Sequence, residues 1–447
     1  MTFRSAAVRV LFSLFCAVLL FPAVLAAPAP AVEFSAIGPG VASAQTSTKE
    51  ADAPHQLWTE NIKPIFARPV NTSAGAYYSG EMLMVPLHAA FAHNDPEWEK
   101  DFSDYFQQFI KSHDQLTDVL LSRLQFLYLG SQFIVLAEKS HHSELIPAGL
   151  PDLLFSEVEA AWEEKPAIEW EHAPFKGIRE RVLWKLNTRT VAKSYFRAMG
   201  DDDCYVFALA ADLRTYGGTP AQEKAWRAPL NDILEVAHRV YTQEVSPTSV
   251  GGWLLQRGVW RDHPDFQYAG NPRAQAGINR APLADVSWDS SHSARFPLWL
   301  TSAMNAYGEG SSWHNFYANL RSGLAKQFVA KVLVPPGSDS PCYRLNNYMD
   351  GRNGVYRWSY KELGENIGYG PYQTSGTLLL GFWSFLDDAE VKSAYRKVAS
   401  QYPWPKECLE LYLGPNPGGA PYSQRDMDPK SPQWRLRYLL VMLASQL

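Results

Sequence analysis

Three residues near the middle of the chain carry the side chains that acid–base chemistry needs. Asp289, His292 and Arg295 lie in the stretch 285–307, DVSWDSSHSARFPLWLTSAMNAY. Asp289, or a serine after it, can cap a helix that begins here, so that His292 and Arg295 share one helical face. A carboxylate, an imidazole and a guanidinium at one helix start can bind an anionic group and move a proton. The structural alternative is a capping aspartate and a histidine bonded to a backbone carbonyl.

A second stretch, Cys342–Leu386, combines aromatic and charged side chains with turn-forming glycines. Its first half is predicted to be a loop, because Gly351 and Gly354 interrupt any regular element. Its second half, 375–386, is nearly all apolar and predicts a buried helix. An aromatic, arginine-rich loop that leads into a buried helix is typical of a binding cleft. The candidate site residues in this loop are Tyr348, Asp350, Arg352, Asn353, Tyr356, Arg357, Tyr360 and Glu362.

Aromatic residues also mark the segment that precedes the histidine stretch. Trp260 and His263 lie in the sequence WRDHPD, and Trp288 stands directly before Asp289. His263 has an aspartate on either side of it, which suits proton transfer or, alternatively, a turn around the proline. The loops 246–284 and 335–371 are long enough to predict a function beyond connection.

Composition excludes several classes of function. The 447 residues are 46% hydrophobic and 19% charged, enough to bury a large core, and the net charge of -5 gives no general attraction to nucleic acid. Motifs for nucleotides, metal ions or a serine nucleophile are missing from the sequence, so we expect neither cofactor nor metal. Aromatic residues reach 13%; most are expected to pack helices together, and the others could stack on sugar rings.

The N-terminus predicts export. Residues 1–26 read as a signal peptide, with arginines before the apolar run Val10–Leu25 and small residues at its end. A single membrane anchor is the alternative, but prolines end and follow the run. Residues 27–55 predict a disordered lead-in, and 56–447 a single domain. The mature protein is therefore expected in the periplasm or outside the cell, without a stable membrane span.

Three cysteines remain after that cleavage. In an oxidising compartment one pair can form a disulfide, and we predict Cys342–Cys408 as that pair. Cys204 lies in an apolar helix and predicts a buried thiol. The triplet Asp201–Asp203 just before this apolar run suits a helix start better than a metal site.

Helical periodicity recurs along the whole chain, and alternating strand patterns do not. Aromatic residues in Pro96–Lys111 repeat at steps of three and four, and Ala221–Val245 is a second amphipathic helix. The predicted fold is all-α.

An exported chain of this length, with recurring helices and aromatic loops, resembles the α/α-toroid carbohydrate-active enzymes, across roughly residues 56–447. These enzymes include polysaccharide lyases and glycoside hydrolases. The lyase resemblance implies a histidine or tyrosine that abstracts the proton beside a uronate carboxyl, and a side chain that neutralises this carboxyl. The candidates are His292, Tyr360 or Tyr356 for the first role and Arg295, Arg357 or Asn353 for the second.

A hydrolase would instead need two carboxyl groups beside the bond that breaks. Asp289, Asp350 and Glu362, with Asp262 in reserve, are the candidates. A third possibility is a polysaccharide-binding protein of the cell envelope without activity. Because arginines and tyrosines crowd the loop, the sequence slightly favours eliminative cleavage of a uronate-containing polysaccharide.

Overall fold

The computed structural model describes residues 48–169 and 174–447, with side chains from residue 54 onward. Within those ranges the chain is mostly helical, with two small two-stranded antiparallel sheets, which confirms the all-α prediction. The predicted signal peptide and most of the lead-in 27–55 lie outside the described residues. The first helix begins at Thr48, inside the range predicted for the lead-in.

The α-helices are α1 (Thr48–Asn61), α2 (Lys63–Phe66), α3 (Ser73–Met82), α4 (Met84–Ala92), α5 (Pro96–Ile110), α6 (Leu120–Lys139), α7 (Leu150–Glu163), α8 (Ile178–Asn187), α9 (Asp201–Tyr216), α10 (Pro220–Glu244), α11 (Ser290–Ser293), α12 (Phe296–Asn305), α13 (Ser312–Gln327), α14 (Ala389–Ser400), α15 (Lys406–Leu413) and α16 (Pro432–Ala444). The strands are β1 (Val245–Pro247), β2 (Trp253–Leu255), β3 (Leu333–Val334) and β4 (Arg344–Leu345), paired β1–β2 and β3–β4. A π-helical turn follows α13 at Phe328–Val332, and 3-10 turns lie at His113–Gln115, Ser143–Leu145, Ser194–Arg197, Pro264–Phe266, Ser375–Leu380, Phe382–Leu386 and Pro417–Gly419.

Local sequence signals account for many helix boundaries. The side chain of Asp95 accepts hydrogen bonds from the backbone N–H groups of Glu97 and Trp98, both at 3.1 Å, and Pro96 starts α5 with its fixed φ. The predicted helix at 375–386 is buried as expected. It is two 3-10 turns rather than one α-helix, because Gly381 adopts a φ of +84° between them.

Helix α6 is the most apolar long helix of the described chain. It is long and apolar enough to cross a membrane, yet 89% of its most apolar stretch is buried within the fold. It packs against α3 on one side and α9 on the other. Its hydrophobicity therefore serves the protein core.

The helices pack in two sets that alternate along the chain. In the first set, α4 contacts α6, α6 contacts α9, and α9 contacts α12. Then α12 contacts the 3-10 turn Phe382–Leu386, while α16 contacts both the 3-10 turn Ser375–Leu380 and α4. In the second set, α5 packs on α4, α7 on α6 and α9, α10 on α9, α13 on α12, and α14 and α1 on α16.

The cysteine predictions are confirmed. Cys342 and Cys408 form a disulfide, which joins the start of the stretch Cys342–Leu386 to α15. Cys204 is a free and buried thiol in α9.

A candidate active site between two loops

Backbone pairing joins the two stretches that carry most of the candidate residues. The N–H of Ser290 donates to the carbonyl of Asn347 at 2.8 Å, and the N–H of Met349 donates to that of Trp288 at 2.9 Å. The buried amide of Asn347 also donates to the carbonyls of Gly354 and Gly370, both at 2.8 Å. Asn347 thus fixes the loop 346–374 against the histidine stretch.

Asp289 and His292 form a hydrogen-bonded dyad at the start of α11. One Asp289 oxygen caps the helix by accepting the N–H groups of Ser291 and His292 at 3.0 Å, as predicted from the sequence. The other accepts from Nδ1 of His292 at 2.7 Å. Burial raises the pKa of Asp289, but His292 and the hydroxyl of Ser291 outweigh it and hold the pKa well below its usual range.

An ionised Asp289 determines which nitrogen of His292 reacts. A carboxylate can only accept a hydrogen bond, so Nδ1 must carry the proton, and in the neutral ring Nε2 has the lone pair. A histidine oriented in this way is a general base whose charged form the aspartate stabilises. The geometry is the one that proton abstraction requires.

Arg295 connects this dyad to carboxylates from distant helices. It is buried and lies 3.0 Å from Asp201 at the start of α9 and 3.2 Å from Glu81 in α3. It also donates a hydrogen bond to the hydroxyl of Tyr77. The sequence predicted Arg295 as a site residue and did not predict its partners.

The two carboxylates around Arg295 share a single positive charge, so their negative charges are not fully compensated. Burial raises the pKa of both Glu81 and Asp201, although Arg295 and His292 oppose the shift. Oδ1 of Asp201 and Nε of Arg295 are buried and have no hydrogen-bond partner in the structure. Two acids that share one guanidinium are better suited to receiving a ligand or a proton than to stabilising the fold.

Of these groups, His292, Arg295 and Glu81 line a narrow cavity of about 20 Å³. A volume of that size holds about one water molecule, so a carboxylate can approach it but a sugar ring cannot enter without movement. Four of its residues were predicted as site residues: His292, Arg295, Tyr356 and Arg357. The other lining residues are Glu81, Ser291, Tyr369, Thr374, Thr377 and Leu380.

Arg357 reaches the cavity from a strained backbone. Its φ is +53°, a conformation that side chains other than glycine rarely adopt and that costs about 1–3 kcal/mol. Asp265 lies 2.8 Å from its Nε, and its guanidinium lies over the rings of Tyr356 at 5.1 Å and Tyr360 at 4.6 Å. Tyr360 therefore supports Arg357 and does not line the cavity, whereas Tyr356 does both.

Three aromatic residues that were predicted to bind substrate lie in the core. Trp260, Trp288 and Tyr348 are 9%, 5% and 0% exposed. Trp288 packs between Trp260 and Phe296 at centroid distances of 5.4 and 5.5 Å. Their faces are covered, so in this conformation they position the site through packing rather than contact a ligand.

The polar residues at the turn 348–353 hold the loop together. Arg352 forms ion pairs with Asp285 at 2.6 Å and with Asp350 at 3.3 Å. The side chain of Asn353 accepts the N–H of Tyr372 at 2.8 Å. These three predicted site residues, Arg352, Asp350 and Asn353, lie outside the cavity lining.

His263 lies near the Asp289–His292 dyad, and neither His263 nor Glu362 lines the cavity. Nδ1 of His263 accepts the N–H of Asp265 at 3.2 Å, and burial lowers the pKa of this imidazole. Oε2 of Glu362 is buried and has no hydrogen-bond partner among the residues that the structure describes. The reserve candidate Asp262 is partly exposed and accepts hydrogen bonds from the N–H and the hydroxyl of Ser194.

A larger open groove of about 980 Å³ adjoins the cavity. Both long loops and the segment 406–427 contribute to it, and its polar and aromatic lining includes Arg273, Gln275, Trp358, Gln373, Lys406, Glu410, Asn416, Tyr422 and Gln424. Tyr369 lines the cavity, and its ring packs against Gly414 of the groove. A Cβ added to Gly414 would come within 3.2 Å of that ring. Tyr369 is thus a contact between the lining of the cavity and that of the groove.

The sequence contained one overlooked signal for this site. Glu81 is a single acid within the apolar run GEMLMVPLHAAFA, and a carboxylate in such a run becomes buried when the helix packs. No cluster of three metal-ligating side chains occurs among the described residues. No known protein family, no curated protein and no solved structure matches this chain. The site has to be interpreted from its own chemistry.

Proposed function

We propose that this protein is an exported enzyme that cleaves a uronate-containing polysaccharide by elimination. The observation that carries the proposal is the convergence of the Asp289–His292 dyad and two arginines, Arg295 and Arg357, on one cavity with Tyr356. A base beside fixed positive charge is what removal of a proton next to a carboxylate needs.

In the proposed reaction, Nε2 of His292 takes the proton from the ring carbon that bears the uronate carboxyl. The electron pair left on that carbon is stabilised on the carboxyl oxygens by Arg357 and Arg295. The bond from the neighbouring carbon to the glycosidic oxygen then breaks as a carbon–carbon double bond forms. The hydroxyl of Tyr356 gives its proton to the leaving oxygen, and the proton on His292 returns to the tyrosine or to solvent.

The sizes of the two openings support this arrangement. The cavity of about 20 Å³ has room for one carboxylate oxygen, the size of a water molecule, and the groove of about 980 Å³ has room for several sugar rings. We infer that the polymer lies along the groove and presents one acid group past Tyr369 to His292.

We also infer a toroidal arrangement of the helices, in line with the resemblance to α/α-toroid enzymes. The contacts of the first helix set run from α4 through α6, α9 and α12 to the 3-10 turns and α16, and return to α4. The second set packs against the first and alternates with it along the chain, which supports an arrangement in an inner and an outer ring.

Hydrolysis is a second candidate, favoured by one observation. Burial raises the pKa of Glu81, which lines the cavity, and a raised pKa suits a general acid. Of the acids predicted for this role, Asp289 is engaged with His292, and Asp350 and Glu362 lie outside the cavity. Glu81 is therefore the carboxyl that a hydrolase mechanism would use.

Both reactions can be tested on a panel of acidic and neutral polysaccharides. We expect new ultraviolet absorbance from unsaturated uronates, together with new reducing ends, on an acidic substrate. The absorbance should be lost in His292→Ala and strongly reduced in Tyr356→Phe. Tyr360→Phe serves as the matched control, because Tyr360 supports Arg357 without lining the cavity and should keep most of the activity.

Reducing ends without absorbance, abolished by Glu81→Gln, would replace elimination with hydrolysis. Binding of polysaccharide that survives His292→Ala, with no product on any substrate, would remove the enzyme proposal and leave a binding protein.

A further inference from the structure

A separate cavity of about 390 Å³ lies away from the candidate active site. Its volume is within the range of small-molecule sites. The end of α9, the first half of α10 and the residue after α12 form its walls. Asp201, which pairs with Arg295, starts α9, and Arg214 of this cavity lies near the other end of the same helix. At 1.5 Å per residue the two are about 20 Å apart along the helix, so the two sites are distinct.

The lining combines an apolar wall with a net positive charge. Trp226 and Leu230 belong to the apolar part. Of the charged lining residues, Arg227 forms an ion pair with Glu223 at 2.6 Å. That pair leaves one charge of the lining, that of Arg214, to attract an anion.

Arg214 is exposed, yet it is held from two directions. Its guanidinium donates a hydrogen bond to Oδ1 of Asn231 and lies 4.7 Å from the ring centre of Tyr307. It forms an ion pair with none of the described carboxylates. An arginine oriented in advance loses little entropy when it binds an anion, and its fork of N–H groups can bond both oxygens of a carboxylate.

Tyr307 is held in turn by a chain of hydrogen bonds inside the protein. Its hydroxyl lies 2.6 Å from Nε2 of His238, and Nδ1 of His238 lies 2.7 Å from the hydroxyl of the buried Tyr317. Burial, together with the charge of Arg214, lowers the pKa of His238 to about 4, so the imidazole is neutral at pH 7. A neutral imidazole has one donor and one acceptor, and the two hydroxyls use both. The chain therefore fixes the ring beneath Arg214 without adding a charge of its own.

We propose that this cavity binds a small carboxylic acid with an apolar body. Arg214 would hold the carboxylate, and the body would lie on Trp226 and Leu230, where it is removed from water. A sugar acid fits the wall less well, because hydroxyl groups turned toward these side chains would lose their hydrogen bonds with water. The site goes beyond the proposed polysaccharide reaction and does not depend on it.

Calorimetry with benzoate tests the site, with benzyl alcohol and acetate as probes that lack the charge or the ring. We expect benzoate to bind the native protein with a Kd of about 1 mM or below, and the other two to bind more weakly. Arg214→Gln should weaken benzoate binding about 10- to 100-fold and leave benzyl alcohol unaffected. Ala306→Leu, which adds a larger side chain to the lining, should weaken the binding of both.

Arg239→Gln is the matched control. Arg239 lies in α10 and also donates to an asparagine oxygen, that of Asn187 at 3.2 Å, but it does not line the cavity. This variant should bind benzoate as the native protein does. His292→Ala should do so as well, because the two sites are distinct.

Two results would overturn the inference outright. One is the absence of benzoate binding at millimolar concentrations, and the other is benzoate binding that Arg214→Gln leaves unchanged. Glucuronate that binds more tightly than benzoate, with the same sensitivity to Arg214→Gln, would overturn the apolar acid in favour of a sugar acid.

Discussion

Helix α9 begins with three consecutive aspartates that face two different clusters of buried charge. Asp202 and Asp203 lie 2.8 and 2.5 Å from Arg181, and Asp203 lies 2.9 Å from Lys185. Asp201 turns the other way, toward Arg295 and the cavity. We call the first set, together with Glu169, the sealed cluster, and the second, with Glu81, the open cluster.

The two clusters use the same residue types, and the pKa of the buried cation is raised in both, in Arg295 of the open cluster as well; they differ in how completely their polar atoms are paired. Burial lowers the pKa of Arg181 and of Lys185, but their carboxylate partners outweigh it and raise both. Every buried side-chain polar atom of the sealed cluster has a partner, whereas Asp201 and Arg295 of the open cluster each leave one without. Complete pairing indicates a structural role, and incomplete pairing beside a cavity indicates a site for a ligand.

The largest effect is expected where the open cluster meets His292. Asp289→Asn keeps the capping oxygen but offers an amide N–H to Nδ1, which shifts the proton of the imidazole to Nε2. We expect kcat to fall about 10³-fold, within the usual range for a general base, while Tm changes little. Steady-state kinetics and a thermal melt on the same preparation measure both.

The control for Asp289→Asn is Asp388→Asn. Asp388 caps α14 by accepting from Glu390 and Val391 at 2.9 and 3.2 Å, with no histidine bonded to it. If both variants lose activity equally, capping rather than the dyad matters.

A substitution in the sealed cluster should lower the stability of the protein and leave its activity unchanged. Lys185→Met leaves Asp203 and Glu169, which lie 2.9 and 2.6 Å from the ammonium group, without that partner. We expect a loss of about 3–5 kcal/mol in the free energy of unfolding, measured with urea, and unchanged turnover per folded molecule. Lys100→Met, which breaks an exposed pair with Asp104, should change the free energy of unfolding little. A loss of turnover with normal stability would mean that the sealed cluster belongs to the site.

The local half of the site could be predicted from the sequence. The cap at Asp289 and the loop with Tyr356 and Arg357 are patterns within about twenty residues. Contrary to the prediction, His292 and Arg295 do not lie on one helix, because α11 ends at Ser293 and Arg295 precedes α12. Helix periodicity likewise predicted a helix at Pro96–Lys111, and the structure has α5 at Pro96–Ile110. Such patterns depend on backbone geometry that neighbouring residues determine.

The remaining half depends on contacts across the chain. Glu81 and Asp201 meet Arg295 from 214 and 94 residues away, and no local pattern encodes that meeting. For the same reason the burial of Trp260 and Tyr348 could not be read from their types. A tryptophan in a loop has the same sequence signature whether it faces a ligand or the core.

A third buried carboxylate, that of Asp212, sharpens the contrast, because none of the described cations forms an ion pair with it. Oδ2 of Asp212 accepts from Ser131 at 2.6 Å and Gln132 at 2.7 Å, and burial raises its pKa to about 6. A raised carboxyl pKa gives stability that is complete below the unfolded value, near 4, and lost as the pH rises through about 6. The native protein should lose up to about 3 kcal/mol across that range through this group.

Asp212→Asn should abolish that pH dependence, since an amide oxygen can accept the same two hydrogen bonds. The difference in unfolding free energy between variant and native protein, measured from pH 4 to pH 8, isolates this group from other titrations. A constant difference would show that Asp212 does not titrate in this range.

The smallest effect is expected at Glu81, and it decides between the two reactions. If elimination operates, Glu81→Gln removes an acid that shares Arg295 with Asp201, and turnover should change less than about 10-fold, since no proton transfer passes through it. Because burial raises the pKa of Glu81, its contribution to stability is lost as the pH rises above the usual carboxyl range. The variant should therefore be as stable as the native protein at pH 8, or slightly more stable.

A fall in reducing-end production of about 10²-fold or more at unchanged stability would instead assign Glu81 as the general acid of a hydrolase. The open cluster would then be the catalytic centre itself rather than a binding site for the uronate carboxyl.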